Sequence, residues 1–148
     1  MKAKRILLVE DDARDEALAL RAFSKTGLAE EVTVVHDGAE ALDYLFATGP
    51  HAGRDARQQP AVVLLDLHLP KVSGEDVLRR LRADGRTRRL PIVVLTASDA
   101  DRDITQACQL GANGYLTKGA NSARFTAAVA RLGQCWLQGQ AAPPEERL

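Results

Sequence analysis

Cysteines and aromatics are few in this chain: its 148 residues include two Cys, one Trp, two Tyr and three Phe. Cys108 and Cys135 form neither a metal-ligand spacing nor a disulfide framework, so both are expected to be small buried thiols within helical patterns. No one sign of charge dominates. The 20 basic and 20 acidic residues cancel, which removes the electrostatic argument for nucleic acid or an anionic membrane as partner. No apolar run approaches membrane-spanning length. The N-terminal Met1-Lys2-Ala3-Lys4-Arg5 has the charge of a signal peptide, but only Ile6–Val9 follows before Glu10-Asp11-Asp12, too short for its apolar region. A cytoplasmic protein is expected. The length suits one domain, residues 1–140, with Ala141–Leu148 as a flexible tail.

What is present is a regular alternation of short β-branched runs and helical patterns. Strands are expected at Arg5–Val9, Val32–Val35, Ala61–Leu65, Ile92–Leu95 and Gly114–Leu116. The third and fourth are continuously apolar, as strands covered on both faces should be. Helices are expected at Ala13–Thr26 (capped by Asp12 and stopped by Gly27), Ala39–Ala47, Glu75–Ala83, a stretch after Ser98 ending at Gly111, and Ser122–Gln138. The spacing predicts inward faces made of Ala17, Leu20 and Ser24 in the first helix, Leu42, Leu45 and Phe46 in the second, Val77, Leu78 and Leu81 in the third, Ile104, Ala107 and Leu110 in the fourth, and Phe125, Ala128, Val129, Leu132 and Trp136 in the fifth. Thr48–Pro60 is polar and is expected to be a long exposed loop. Such a chain folds as an α/β domain: a five-stranded parallel sheet, doubly wound, with helices on both faces.

Open sheets of this kind bind ligands at the carboxyl ends of their strands, where the strand order reverses. There the chain places Glu10-Asp11-Asp12, Asp66, Thr96 and, just past the fifth strand, Lys118. Converging carboxylates repel by about 4 kcal/mol per pair at 4 Å near a protein surface, so such a cluster holds a proton or binds a cation. Oxygen ligands alone suit Mg2+. A metal and a lysine flanking one aspartate is what acyl-phosphate formation needs, because the transferred group's oxygens must be neutralised. Thr96 offers a hydroxyl to one of those oxygens, and Ala97 is small enough to leave room.

The segments Val-Glu-Asp-Asp (9–12), Leu-Leu-Asp-Leu-His-Leu-Pro (64–70) with Gly74, Val-Leu-Thr-Ala (94–97) and Gly-Ala-Asn-Gly-Tyr-Leu-Thr-Lys (111–118) resemble the receiver domain of two-component response regulators. The likeness covers Lys4 to about Leu137 and implies a flavodoxin-like sheet of order 2-1-3-4-5. It implies that Asp66 accepts a phosphoryl group from the phosphohistidine of a sensor histidine kinase. Asp11 would ligate Mg2+ directly, Glu10 through water, and the His68 backbone carbonyl would join them. Thr96 and Lys118 match the phosphate-binding pair, and Tyr115 matches the switch aromatic that turns inward with Thr96. His68 and Ser98 lie where the family tunes access of water. Output would be protein–protein, with homodimerisation through the fourth helix, fifth strand and fifth helix, about residues 101–137. The Thr48–Pro60 insertion, the Leu-Asp-Leu-His-Leu-Pro segment and the final Cys-Trp-Leu resemble regulators paired with bacterial phytochromes. Gly119 departs from the family, which usually has proline there, so the loop after Lys118 is expected to take its own course.

Blander roles compete for several residues. Asp12 is expected to be a helix cap, Pro70 and Gly74 to shape the loop after Asp66, Trp136 to be core, and Arg86–Arg89 to be a solvated loop. Tyr115 fits half-buried packing as well as it fits a switch. A phosphatase with an aspartyl nucleophile would carry a second acid where His68 stands, and a cap domain. A flavin binder would need donors where the loop after the first strand is acidic. An interaction domain that is never phosphorylated would not need the complete acid, threonine and lysine set.

Overall fold

The computed structural model describes residues 5–96, 101–118 and 122–138. Ten elements alternate: β1 (Ile6–Val9), α1 (Ala13–Lys25), β2 (Val32–Val35), α2 (Gly38–Phe46), β3 (Val62–Asp66), α3 (Gly74–Ala83), β4 (Ile92–Thr96), α4 (Asp101–Gln109), β5 (Gly114–Thr117) and α5 (Ser122–Gln138). All strands pair parallel in the order β2-β1-β3-β4-β5. The order reverses beside β1, since the chain turns outward to β2 and then returns to β3. That leaves a crevice between the carboxyl ends of β1 and β3.

Alternation along the strands divides the core in two. Leu7, Val9, Val63, Leu65, Ile92 and Val94 meet α2, α3 and α4 on one face. Ile6, Leu8, Val62, Leu64, Val93 and Leu95 meet α1 and α5 on the other. The inner strands are therefore buried on both sides, and truncating Leu64 or Leu65 to alanine costs about 2–5 kcal/mol. Among the described residues, no helix is long and apolar enough to cross a membrane.

The described helical faces agree with expectation except in α1. Leu20 packs against the core as expected, but Ala17 and Ser24 are exposed, and Ala19, Ala22 and Phe23 are buried. Phe23 is the bulkiest apolar residue of α1, and seating it against α5 and the sheet turns the helix by about a third of a turn. Val77, Leu78 and Leu81 of α3 are buried as expected, as are Leu42 and Leu45 of α2 and Phe125, Val129 and Leu132 of α5. Cys108 is exposed, not buried: Ala107 faces the sheet, and the next residue of a helix points about 100° away. The side chains of Ile104, Cys135 and Trp136 lie outside what the structure describes, as do Ala97, Ser98, Gly119 and the tail from 141 to 148.

The segment 48–60 is not a free loop. It makes a 3-10 turn at Gly49–His51 and folds back on the end of α2. Arg54 places its guanidinium 3.7 Å over the Tyr44 ring and donates to the carbonyls of Tyr44 and Gln58. His51 meets the same ring edge-on at 5.3 Å, and Gln59 donates to the carbonyls of Leu45 and Ala56. The last turn of a helix leaves carbonyls without partners, and this segment supplies the donors. The Arg86–Arg89 stretch is likewise anchored at one residue. Thr87 is fully buried and donates to the Leu81 carbonyl at 2.6 Å, although Arg86 before it and Arg88 and Arg89 after it are exposed.

Candidate functional site

The ends of β1 and β3 bring Glu10 and Asp66 side by side, because Val9 pairs with Leu65 in the sheet and each acid is the next residue on its strand. Both are buried, at 1% and 3% exposure. Asp11, one residue on, is exposed, yet its carboxylate lies within 4.8 Å of oxygens of Glu10 and Asp66. Asp12 leaves the cluster to cap α1, accepting from the amides of Arg14 at 2.8 Å and Asp15 at 3.0 Å. The amides of Asp15 and Arg14 hold its carboxyl below the usual range.

Lys118 enters from the end of β5, its amide donating to the Thr96 carbonyl at 2.7 Å. Its Nζ donates to Asp66 Oδ2 at 2.7 Å and to Asp15 Oδ2 at 2.9 Å. Glu10 Oε1 is 2.6 Å from Nζ, a charge contact outside hydrogen-bonding angles, so this buried oxygen keeps no hydrogen-bond partner. The lysine reaches the site although proline is missing after it. The His68 amide donates to Asp66 Oδ1 at 3.0 Å, so both oxygens of Asp66 are engaged. The His68 ring is on an exposed residue, away from any metal-ligand cluster among the described residues.

Glycine shapes the loop that follows. A Cβ on Gly74 would come within 2.5 Å of the Asp66 carbonyl and 2.6 Å of Leu67 Cα, and a Cβ on Gly38 would collide with the Val72 carbonyl. Lys71 holds a left-handed conformation (φ 67°) and pairs with Asp37 at 3.5 Å. The loop from Asp66 to α3 is therefore clamped by α3 behind it and α2 beside it.

The charges are uneven in a telling way. Burial, then the hydrogen bond it shares with Asp66, pushes the Glu10 carboxyl up to about 8. Burial acts on Asp66 in the same direction, but hydrogen bonds with Glu10, Lys118 and the His68 amide outweigh it and keep Asp66 below the ordinary carboxylate value. Burial would lower Lys118, yet its contacts with Asp66, Glu10 and Asp15 hold the ammonium well above the usual lysine range. The site thus favours an ionised aspartate beside a fixed cation, with the neighbouring glutamate pushed toward its protonated form. The unpartnered Glu10 oxygen, with Asp11 and Asp66 beside it, forms an all-oxygen donor set that fits a divalent metal ion.

Thr96 is buried at the end of β4. Tyr115 is half-buried against the α4-side core, and the pairs Val94↔Tyr115 and Thr96↔Thr117 put Tyr115 and Thr96 on one face of the sheet. Sequence reasoning missed Asp15. An acid at the third position of a helix that starts beside an acidic strand end was the available signal, since the first turn points back toward that end.

Residues 6–130 match the response regulator receiver domain. The chain belongs to that family. Over nearly its whole length this receiver domain is similar to several response regulators. It is 44% identical to the bacteriophytochrome response regulator RtBRR, covering 97% of this chain and 86% of that one, with a TM-score of 0.78. It is 36% identical to the cyanobacterial phytochrome response regulator RcpA, whose structure is of the phosphorylated protein, covering 95% and 99% with a TM-score of 0.82. It is 33% identical to the response regulator Rcp1 of Synechocystis sp., covering 91% and 90%. The structure of Rcp1 with Mn2+ bound gives a TM-score of 0.79. The receiver fold and the sheet order expected from the motifs are both present.

Proposed function

We propose that Asp66 is the phosphoacceptor of this receiver domain, taking a phosphoryl group from the phosphohistidine of a sensor histidine kinase. One observation carries the reading: Asp66 Oδ2 lies 2.7 Å from Lys118 Nζ at the heart of a carboxylate cluster fit for a cation. Glu10, Asp11, Asp66 and the His68 carbonyl would hold Mg2+, which supplies charge neutralisation for the phosphoryl oxygens when bound. The protein's own residues do the rest. Asp66 stays ionised and so remains a nucleophile; its oxygen bonds to phosphorus as the N–P bond of the donor breaks. Lys118 neutralises one transferred oxygen, the Thr96 hydroxyl donates to another, and Ala97 leaves them space. Tyr115 and Thr96, on the same sheet face, form the switch that reports occupancy toward α4.

The group is held and handed on, not turned over. A phosphatase would carry an acid at position 68, where this chain has an exposed histidine. The likeness to RtBRR and RcpA supports a bacteriophytochrome as the kinase and a cytoplasmic setting. Output by homodimerisation through α4, β5 and α5 follows the same resemblance. Acetyl phosphate with Mg2+ and intact-mass detection tests the acceptor: the wild type should gain one phosphoryl group and Asp66→Asn none. If both gained one, the acceptor would be another residue; if neither did, phosphotransfer from a phytochrome kinase becomes the deciding assay.

A further inference from the structure

Lys118 Nζ is bounded by three carboxylates of unequal standing. Glu10 and Asp66 hang from strand ends with side chains 1% and 4% exposed, whereas Asp15 stands on the first turn of α1 with 36% of its side chain in solvent. The ammonium is already enclosed by three oxygens at 2.6, 2.7 and 2.9 Å, the first a charge contact and the other two accepting its hydrogen bonds. A phosphoryl oxygen on Asp66 therefore meets this lysine only if one present partner lets go. Glu10 and Asp66 are buried, so neither has water to turn into if it leaves the lysine. Asp15 can turn into water, where an exposed ion pair gives up little.

We infer that Asp15 is a positioning residue that holds Lys118 beside Asp66 at rest and is the partner the ammonium exchanges for a phosphoryl oxygen. Its charge then sets how readily the site takes and keeps the group, by competing for the same cation. The Asp15 amide, not its carboxylate, takes part in the Asp12 cap. The inference rests on Asp66 being the acceptor.

Beryllofluoride with Mg2+, a mimic of the phosphoryl group, tests it by calorimetric titration of the full chain. Asp15→Asn should bind the mimic roughly two- to fivefold more tightly than wild type, the range of a partly exposed ion pair. Asp15→Glu, which keeps the charge, should bind like wild type. The gain should shrink as salt rises from about 0.05 to 0.5 M, because the competing charge is screened. A merely structural role would lower the melting temperature and weaken binding, and unchanged or weaker binding by Asp15→Asn overturns the inference. So does a failure of both Asp15→Asn and Asp15→Ser to fold. If the wild type bound no mimic, the acceptor reading of Asp66 would fall and the role of Asp15 with it. If the wild type bound and Asp15→Asn matched it, only the role of Asp15 would fall.

Discussion

The two ends of the sheet use their enclosed polar side chains in different ways. At the carboxyl end, Glu10, Asp15, Asp66 and Lys118 face one another, and a buried Glu10 oxygen is left without a hydrogen bond. At the opposite end, polar side chains terminate on main-chain carbonyls. Arg82 donates to the carbonyls of Leu90 at 2.7 Å, Gly111 at 3.0 Å, Arg88 at 3.1 Å and Thr87 at 3.3 Å, and to Asn113 Oδ1 at 2.8 Å. Arg54, Gln59 and Thr87 act likewise. Side chains that satisfy carbonyls finish a fold, because those acceptors would otherwise be buried unpaired. Side chains that pair mainly with one another, with acceptors left over, leave work for a ligand.

If that contrast holds, substitutions at the two ends should separate binding from stability. Lys118→Met should show the largest effect, a loss of about 10²–10³ in phosphorylation rate with acetyl phosphate, since one preorganised charge on the transferred group disappears. Mass spectrometry over time measures it, and a rate near wild type would remove Lys118 from the chemistry.

The next effect is in pH. Glu10 titrates near 8 in the metal-free folded protein against an ordinary value of 4.5, so between those values the folded state binds the extra proton. The proton's contribution to stability is therefore complete below about pH 4.5 and is lost as pH rises through about 8. A metal must displace the same proton. Mg2+ affinity should accordingly rise by about tenfold per pH unit up to about pH 8 and then level off. Titrations at several pH values check this, and Glu10→Gln should flatten the slope.

At the other end, Arg82→Ala should destabilise by about 2–4 kcal/mol in denaturant melts while leaving acceptance of phosphoryl at Asp66 intact, because several carbonyls lose a charged donor together. Arg54→Ala should cost less, roughly 1–2 kcal/mol, through the lost ring contact and the uncapped end of α2. Loss of phosphorylation in a folded Arg82 or Arg54 variant would break the division between the ends.

Much of this molecule is legible without coordinates. Strands such as 62–66 and 92–96 are continuously apolar, and that pattern is readable because burial on both faces leaves no alternative residue type. The acids at 10, 11 and 66, the hydroxyl at 96 and the lysine at 118 follow from where those strands end. The rotation of α1 was less legible: Ala17, Leu20 and Ser24 and the set Ala19, Ala22 and Phe23 recur at equally good helical spacing, and packing of Phe23 chose between them. Thr48–Pro60 reads as loop because its donors serve carbonyls, and main-chain acceptors leave no mark in a sequence.

By itself the sequence determined the strands and the side chains at their reactive ends, because periodicity and strand ends are local properties of the chain. The strand order was implied only by the resemblance to receiver domains. Tertiary structure alone decided that Lys118 is shared between Asp66 and Asp15, 103 residues before it, and that Glu10 is pushed toward its protonated form while Asp66 is pushed toward its ionised one. Those outcomes depend on burial and on distances between separate elements, and such quantities exist only once the elements have packed.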